Sequence, residues 1–201
     1  MSQPTALLVV AHPRADSLTA STADRVRRKL KDDGYGIDLL DLHAEGFDPR
    51  MTTADEPDWD DRDKRYSAEV HAHMRRVAAA DVIVVVFPVW WFGPPAILKG
   101  WIDRVWNYGL AYGRSQSPLA DKRMLWLGLT GGSREYFASE GYDRAIDTQL
   151  RVGVSRYCGI TRSALRLVYD TVPDEVADPD GHYSELLDTA EALFVKFLEA
   201  A

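Results

Sequence analysis

VIVVVFPVWWFGPPAILKGWIDRVW, residues 82–106, changes character twice. Val82 to Phe87 is apolar at every position, which suits a strand buried on both faces of a parallel sheet. A proline ends the run, and Trp90, Trp91, Phe92, Gly93 and two prolines follow as a turn. From Pro95 onward Ile97, Leu98, Trp101, Ile102 and Val105 recur at helical spacing, with the prolines where a helix start tolerates them. A buried strand thus delivers three large aromatic residues onto a turn, where water normally stands.

Four further apolar runs flank this unit: ALLVVA (6–11), IDLLDL (37–42), MLWLGL (124–129) and ALRLVY (164–169). Asp38, Asp41 and Arg166 place the second and fifth runs nearer a sheet edge. Between the runs lie helical patterns over 17–33, 66–80, 95–106, 142–157 and 184–200, the first with Gly34 just past its end. Strands alternating with helices of this length predict an α/β fold with right-handed crossovers. With five strands, a flavodoxin-like three-layer sandwich with a parallel sheet of order 2-1-3-4-5 is preferred to half of a dinucleotide-binding fold. A single domain over 1–201 is expected. Ligands of such sheets bind beyond the carboxyl ends of the strands, which singles out the loops after Ala11, Phe87 and Leu129. The polar segment 48–66 reads as a long surface loop.

Composition narrows the function classes. The chain has 201 residues, 46% apolar and 27% charged, with a formal charge of −7. That balance argues against nucleic acid as a partner, which needs a basic face. The lone Cys158 leaves no disulfide framework and no cysteine-rich zinc site, and no metal site is expected. No run approaches the length of a membrane span, and the N-terminal apolar run is too short for a signal sequence. A cytoplasmic location is the expectation.

Each of the three loops has a functional and a bland reading. AHPRADSLTAST (11–22) turns from a strand into a helix capped by Ser17 or Asp16. Its helix N-terminus, with His12 and Arg14 as cationic donors, suits a phosphate; an ordinary capped turn is the alternative. It lacks the glycines of a P-loop or of a dinucleotide fingerprint. FPVWWFGPP suits a planar heteroaromatic ligand held by flat rings and backbone groups, or else inward packing or an oligomer interface. Thr130-Gly131-Gly132-Ser133 allows positive φ and close backbone approach to a ligand, or is merely a turn. The fold would bring all three to one edge.

AHPRADSLT, FPVWWFGPPAILKGWIDRVW with GLAYG behind it, TGGS and YCGI resemble the NAD(P)H:quinone oxidoreductases of the flavodoxin-like fold, over roughly residues 5–170. The resemblance implies a bound flavin, a homodimer with active sites at its interface, and two-electron ping-pong transfer from NAD(P)H to a quinone or another flat acceptor. Carried over by position, His12, Arg14, Ser17, Leu18 and Thr19 hold the flavin's phosphate side. Pro88, Val89, Trp90, Trp91 and Phe92 line its ring system, and Thr130, Gly131 and Gly132 meet its polar edge. FMN is favoured over FAD because 48–66 is short compared with the FAD-binding relatives. One departure stands out. The family's tyrosine and histidine after the Gly-Gly turn fall on Phe137 and Asp143, with Tyr136 and Tyr142 one residue earlier. Tyr136, Phe137 and Asp143 are therefore the candidate catalytic positions.

Two other roles compete with the enzyme: a flavin-binding ancillary subunit peripherally associated with a membrane transporter, and a flavodoxin-like electron carrier. The carrier fits less well, because its first loop would be rich in hydroxyls and glycine. Elsewhere, His71 and His73 are expected on a solvated helix face, Cys158 as a buried small hydrophobe, and Trp59 as a dimer contact near the partner's site.

Overall fold

The computed structural model describes residues 3–172 and 177–200; the remaining positions of the expected 1–201 domain lie outside the described residues. Five strands, β1 (Thr5–Val10), β2 (Gly36–Asp41), β3 (Val82–Pro88), β4 (Arg123–Leu129) and β5 (Arg162–Val168), form one parallel sheet of order β2-β1-β3-β4-β5. The helices are α1 (Leu18–Asp32), α2 (Ala68–Ala79), α3 (Ala96–Val105), α4 (Arg134–Glu140), α5 (Tyr142–Asp147) and α6 (Pro179–Glu199), with a π-helical segment at Thr148–Arg156.

β3 is apolar throughout because both of its faces are covered. Ile83, Val85 and Phe87 join one core with Leu98 and Trp101 of α3 and with Trp126. Val82, Val84 and Val86 join the other, with Val26 and Leu30 of α1 and Phe194 of α6. Strand alternation sends successive side chains to opposite layers, which makes three layers. β2 and β5 are the edges.

Two helix boundaries depart from the sequence pattern. The helix expected over 142–157 is α5 followed by the π-helical segment, whose wider turn a 3.6-residue periodicity cannot register. α4 falls inside what reads as a loop; Ser133 caps it by accepting the Tyr136 N–H at 3.2 Å, and left-handed Gly141 ends it.

The 48–66 segment is held down at its base. Arg104 and Asp55 are buried, with Arg104 Nη2 2.7 Å from Asp55 Oδ2 and 2.8 Å from the Glu69 carboxylate. Arg104 also donates to the Asp48 carbonyl, and Asn107 Nδ2 donates to the Asp55 carbonyl at 2.6 Å. Burial pushes the Asp55 carboxyl up, but hydrogen bonds from Arg104 and Ser67 outweigh it and hold the group below the ordinary range. Gly100 of α3 is glycine because Pro49 lies where a Cβ would stand. The exposed indole of Trp59 leans on Tyr108 at 5.2 Å between ring centres, and on Tyr112 at 6.2 Å.

His73 does not lie on a solvated face. It is buried, and its Nδ1 accepts the Trp101 indole N–H at 3.2 Å, so α2 packs that histidine against α3. Cys158 is buried, and burial pushes its thiol up to about 12, which leaves it inert as a nucleophile.

Candidate active site

The carboxyl ends of β1, β3 and β4 release three loops at one edge of the sheet. The Ala11 N–H still bonds the Val86 carbonyl at 3.1 Å, so His12 emerges beside β3. His12 Nδ1 lies 3.1 Å from the Arg14 backbone nitrogen and 3.3 Å from the Arg14 carbonyl oxygen, so the turn holds the ring in place. Burial holds the imidazole below its ordinary value. The Arg14 side chain is exposed and stands 3.6 Å from the Asp16 carboxylate. Ser17, not Asp16, is the cap of α1; its Oγ accepts the Ala20 N–H at 3.2 Å. The N–H groups of Leu18 and Thr19 find no acceptor among the described residues. Together with the helix dipole they form an anion seat.

The loop after β3 answers why three aromatics stand on a turn. Pro88 ends the strand, and the Val89 N–H bonds the Leu129 carbonyl at 2.7 Å. Trp90 and Gly93 then exchange two backbone hydrogen bonds, at 3.0 and 3.1 Å, closing a two-residue hairpin turn. Its central residues, Trp91 and Phe92, both have left-handed backbones, with φ of 49° and 58°. Such turns ordinarily use Asn-Gly or similar pairs. A side chain there costs about 1–2 kcal/mol per residue. Phe92 is held by stacking on Tyr142, with centroids 3.7 Å apart and planes at 16°, and by Phe137 at 5.8 Å. Trp90 sets its ring edge to His12 at 5.8 Å, joining the first two loops. Trp91 is 96% exposed. Backbone strain that packing does not explain is a mark of a working segment.

After β4 the Thr130 N–H bonds the Val168 carbonyl at 2.8 Å, and the Gly132 carbonyl accepts the Asp170 N–H at 3.1 Å. Neither Gly131 nor Gly132 adopts the positive φ expected of this turn. Gly132 is required by packing, since a Cβ would press on the Phe137 ring at 2.9 Å. At Gly131 a Cβ would only touch Val172 at 3.4 Å, so the residue leaves an open, exposed backbone surface.

The three expected catalytic positions separate. Tyr136 is exposed beside Phe92, 6.5 Å between centroids. Phe137 is 2% exposed, packed among Phe92, Tyr142 and Tyr169, and carries no proton to exchange. Asp143 accepts the N–H of Arg144 at 2.6 Å and borders a separate cleft with Arg134. Tyr142, to which the sequence assigned no role, stands in the position next to Phe92. Its neighbour Tyr136, 5.7 Å away between centroids and edge-on, is the foremost cause that raises the Tyr142 pKa. Gly141 was the available signal: its left-handed turn resets the helix and swings residue 142, not 143, inward.

Among the described residues no group of three or more His, Cys, Asp or Glu side chains could hold a metal ion, and no helix is long and apolar enough to cross a membrane.

Fold and edge together define a protein of flavodoxin type, and the family comparison agrees. Residues 4–193 match the family model described as flavodoxin-like fold, and the chain belongs to that family. It is 44% identical over 165 residues to "Uncharacterized NAD(P)H oxidoreductase YcaK" of Escherichia coli K12, covering 82% of this chain and 83% of that protein. It is 30% identical to rat NAD(P)H dehydrogenase [quinone] 1, covering 84% of this chain and 71% of the rat protein. Among solved structures, the NAD(P)H:quinone oxidoreductase of Methanothermobacter marburgensis superposes with a TM-score of 0.81 at 20% identity, over 96% of this chain and 95% of that one.

Proposed function

We propose that the protein is a flavoenzyme that carries a hydride from NAD(P)H to quinones or similarly flat electrophilic acceptors. The observation that carries this is the strained Trp91–Phe92 turn. It stands at the switch point of the sheet between an anion seat and an open glycine surface. The relatives named as NAD(P)H oxidoreductase and NAD(P)H dehydrogenase [quinone] support the same activity.

The residues fit a flavin. The free N–H groups of Leu18 and Thr19, the His12 imidazole and the exposed Arg14 offer donors and positive charge to a phosphate. Val89, Trp90, Trp91 and Phe92 supply a flat wall. In the Thr130–Gly131–Gly132 loop Gly131 keeps its backbone groups for a polar ring edge, those of Thr130 and Gly132 being bonded to Val168, Thr171, Asp170 and the Thr130 hydroxyl. When bound, a flavin supplies two-electron hydride chemistry. The chain's part is to bind, orient and exclude water. Tyr142 stacks on Phe92, and Tyr136 stands exposed beside both, so their phenol groups border the ring wall.

FMN is preferred to FAD, because the short 48–66 segment is committed to α3 through Asp55, to Arg114 through Asp63 and to Tyr112 through Trp59, rather than free to cover an adenosine half. A homodimer completes the site in this account: Trp91, Trp59 and Tyr157 are large exposed rings that a lone chain leaves in water. Heat release and mass measurement of the cofactor identify the flavin. NADPH oxidation by the flavin-loaded protein with menadione tests the activity, and the absence of acceptor-dependent turnover would remove it.

A further inference from the structure

A second cleft, about 830 Å³, opens on the far side of the Phe137 ring, between α4–α5 and α6 along the free edge of β5. Arg134, Arg144 and Arg166 line it, and none of the three forms an ion pair among the described residues. Arginines elsewhere are mostly committed: Arg25, Arg27, Arg28, Arg50, Arg76, Arg104, Arg114 and Arg151 each meet a carboxylate.

Three carboxylates also border the cleft. Asp147 gives both oxygens to Arg151, at 2.7 and 2.5 Å. Asp143 turns one oxygen to its neighbour's N–H. Glu140 remains uncommitted. Arg134 lies over the Tyr169 ring at 4.6 Å, so its position is fixed by an aromatic face rather than by a counter-charge. A guanidinium held this way keeps its N–H edges for a phosphate, which it binds bidentately. Arg166 spends one Nη1–H on the Leu165 carbonyl at 2.9 Å, while its other N–H groups stay free among the described residues.

The cleft adjoins the proposed site. Tyr169 meets Phe137 at 5.7 Å between centroids, and Phe137 meets Phe92 at 5.8 Å. A ligand with a flat ring beside Phe92 therefore has a cationic cleft within the reach of an extended dinucleotide. In a chain of charge −7, a polyanion needs such a local seat.

We propose that this cleft receives the phosphate groups of the reduced nicotinamide dinucleotide while its nicotinamide lies at the Phe92 wall. The assignment rests on the hydride-transfer function above and names where the donor's anionic half is held. It predicts a donor-specific loss. In the flavin-loaded protein, the Arg134→Ala/Arg166→Ala double variant should raise KM for NADPH about tenfold, the effect of losing charge-assisted phosphate contacts. KM for dihydronicotinamide riboside, which has no phosphate, should stay at the wild-type value. Glu140→Gln should act in the opposite direction and lower KM for NADPH. An unchanged KM for NADPH in the double variant, or an equal rise for both donors, overturns the assignment.

Calorimetric titration with ADP-ribose reads the cleft without turnover. Binding that weakens about tenfold in the double variant supports the seat; binding that is absent or unaffected refutes it. A wild-type protein that binds ADP-ribose in this arginine-dependent way but oxidises neither donor would instead refute the hydride-transfer function and leave the anion seat standing.

Discussion

Trp91→Gly separates strain kept for function from strain kept by packing. Trp91 is 96% exposed with φ of 49°, so the folded chain gains little from the indole and bears the left-handed penalty. Glycine relieves about 1–2 kcal/mol of that penalty. Its looser unfolded chain returns about 0.5–1 kcal/mol, leaving a net gain of about 0.5–1 kcal/mol. For a chain of this size that gain raises Tm by about 2 °C, read in a thermal melt of the flavin-free protein. The same change removes one wall of the proposed pocket, and loss of a stacked ring weakens flavin binding about fivefold, read by fluorescence titration. Trp91→Ala removes the ring but keeps a Cβ at positive φ, so it should lose retention without the gain in stability. Opposite movement of stability and retention in the glycine variant is the expected signature. A glycine variant that melts lower than wild type, or that keeps its full flavin affinity, would refute the assignment of this turn to the ligand.

Gly131→Val should reduce flavin content while shifting Tm little, because its branched Cβ projects onto an open surface and meets only Val172 at 3.4 Å; a fully loaded variant would remove this loop from the site. Arg104→Ala leaves Asp55 buried without a counter-charge and should cost about 3–5 kcal/mol, a loss visible in denaturant unfolding. His73 gives the fold a pH dependence. Burial lowers its folded pKa below 6.5, so between the two values the unfolded chain binds more protons and stability rises with pH. The contribution is complete above about pH 6.5 and is lost as pH falls below it. Thermal melts between pH 5 and pH 8 should show a smaller slope in His73→Gln than in wild type.

The strands were readable because β3 is buried on both faces, and its continuous apolar run fixes the centre of a parallel sheet. The charged positions of the flanking runs, Asp38, Asp41 and Arg166, placed β2 and β5 at the edges. Chemistry at the sheet edge was harder to read. Trp91-Phe92 is not a pair that turn preferences assign to left-handed backbone, and only coordinates reveal the strained hairpin. After Ser133 the resemblance aligns without gaps onto Phe137 and Asp143, with Tyr136 and Tyr142 one residue earlier, and a two-turn helix ending at Gly141 has too few repeats for periodicity to choose between the registers. In the fold Phe137 is buried and Tyr142 stacks on Phe92. His73 was assigned to solvent by spacing alone, since nothing in its own segment announces the Trp101 indole on another helix. Local pattern gave the layers, while the partners of polar and aromatic side chains came from tertiary contact.

Initial rates of NADPH oxidation by the flavin-loaded protein, with NADPH and menadione varied together, test the central claim most directly. Hydride passing through one site in two half-reactions predicts parallel double-reciprocal lines, the ping-pong pattern. Lines that intersect would contradict alternate occupancy of that site, and the absence of menadione-dependent turnover would contradict the enzyme itself.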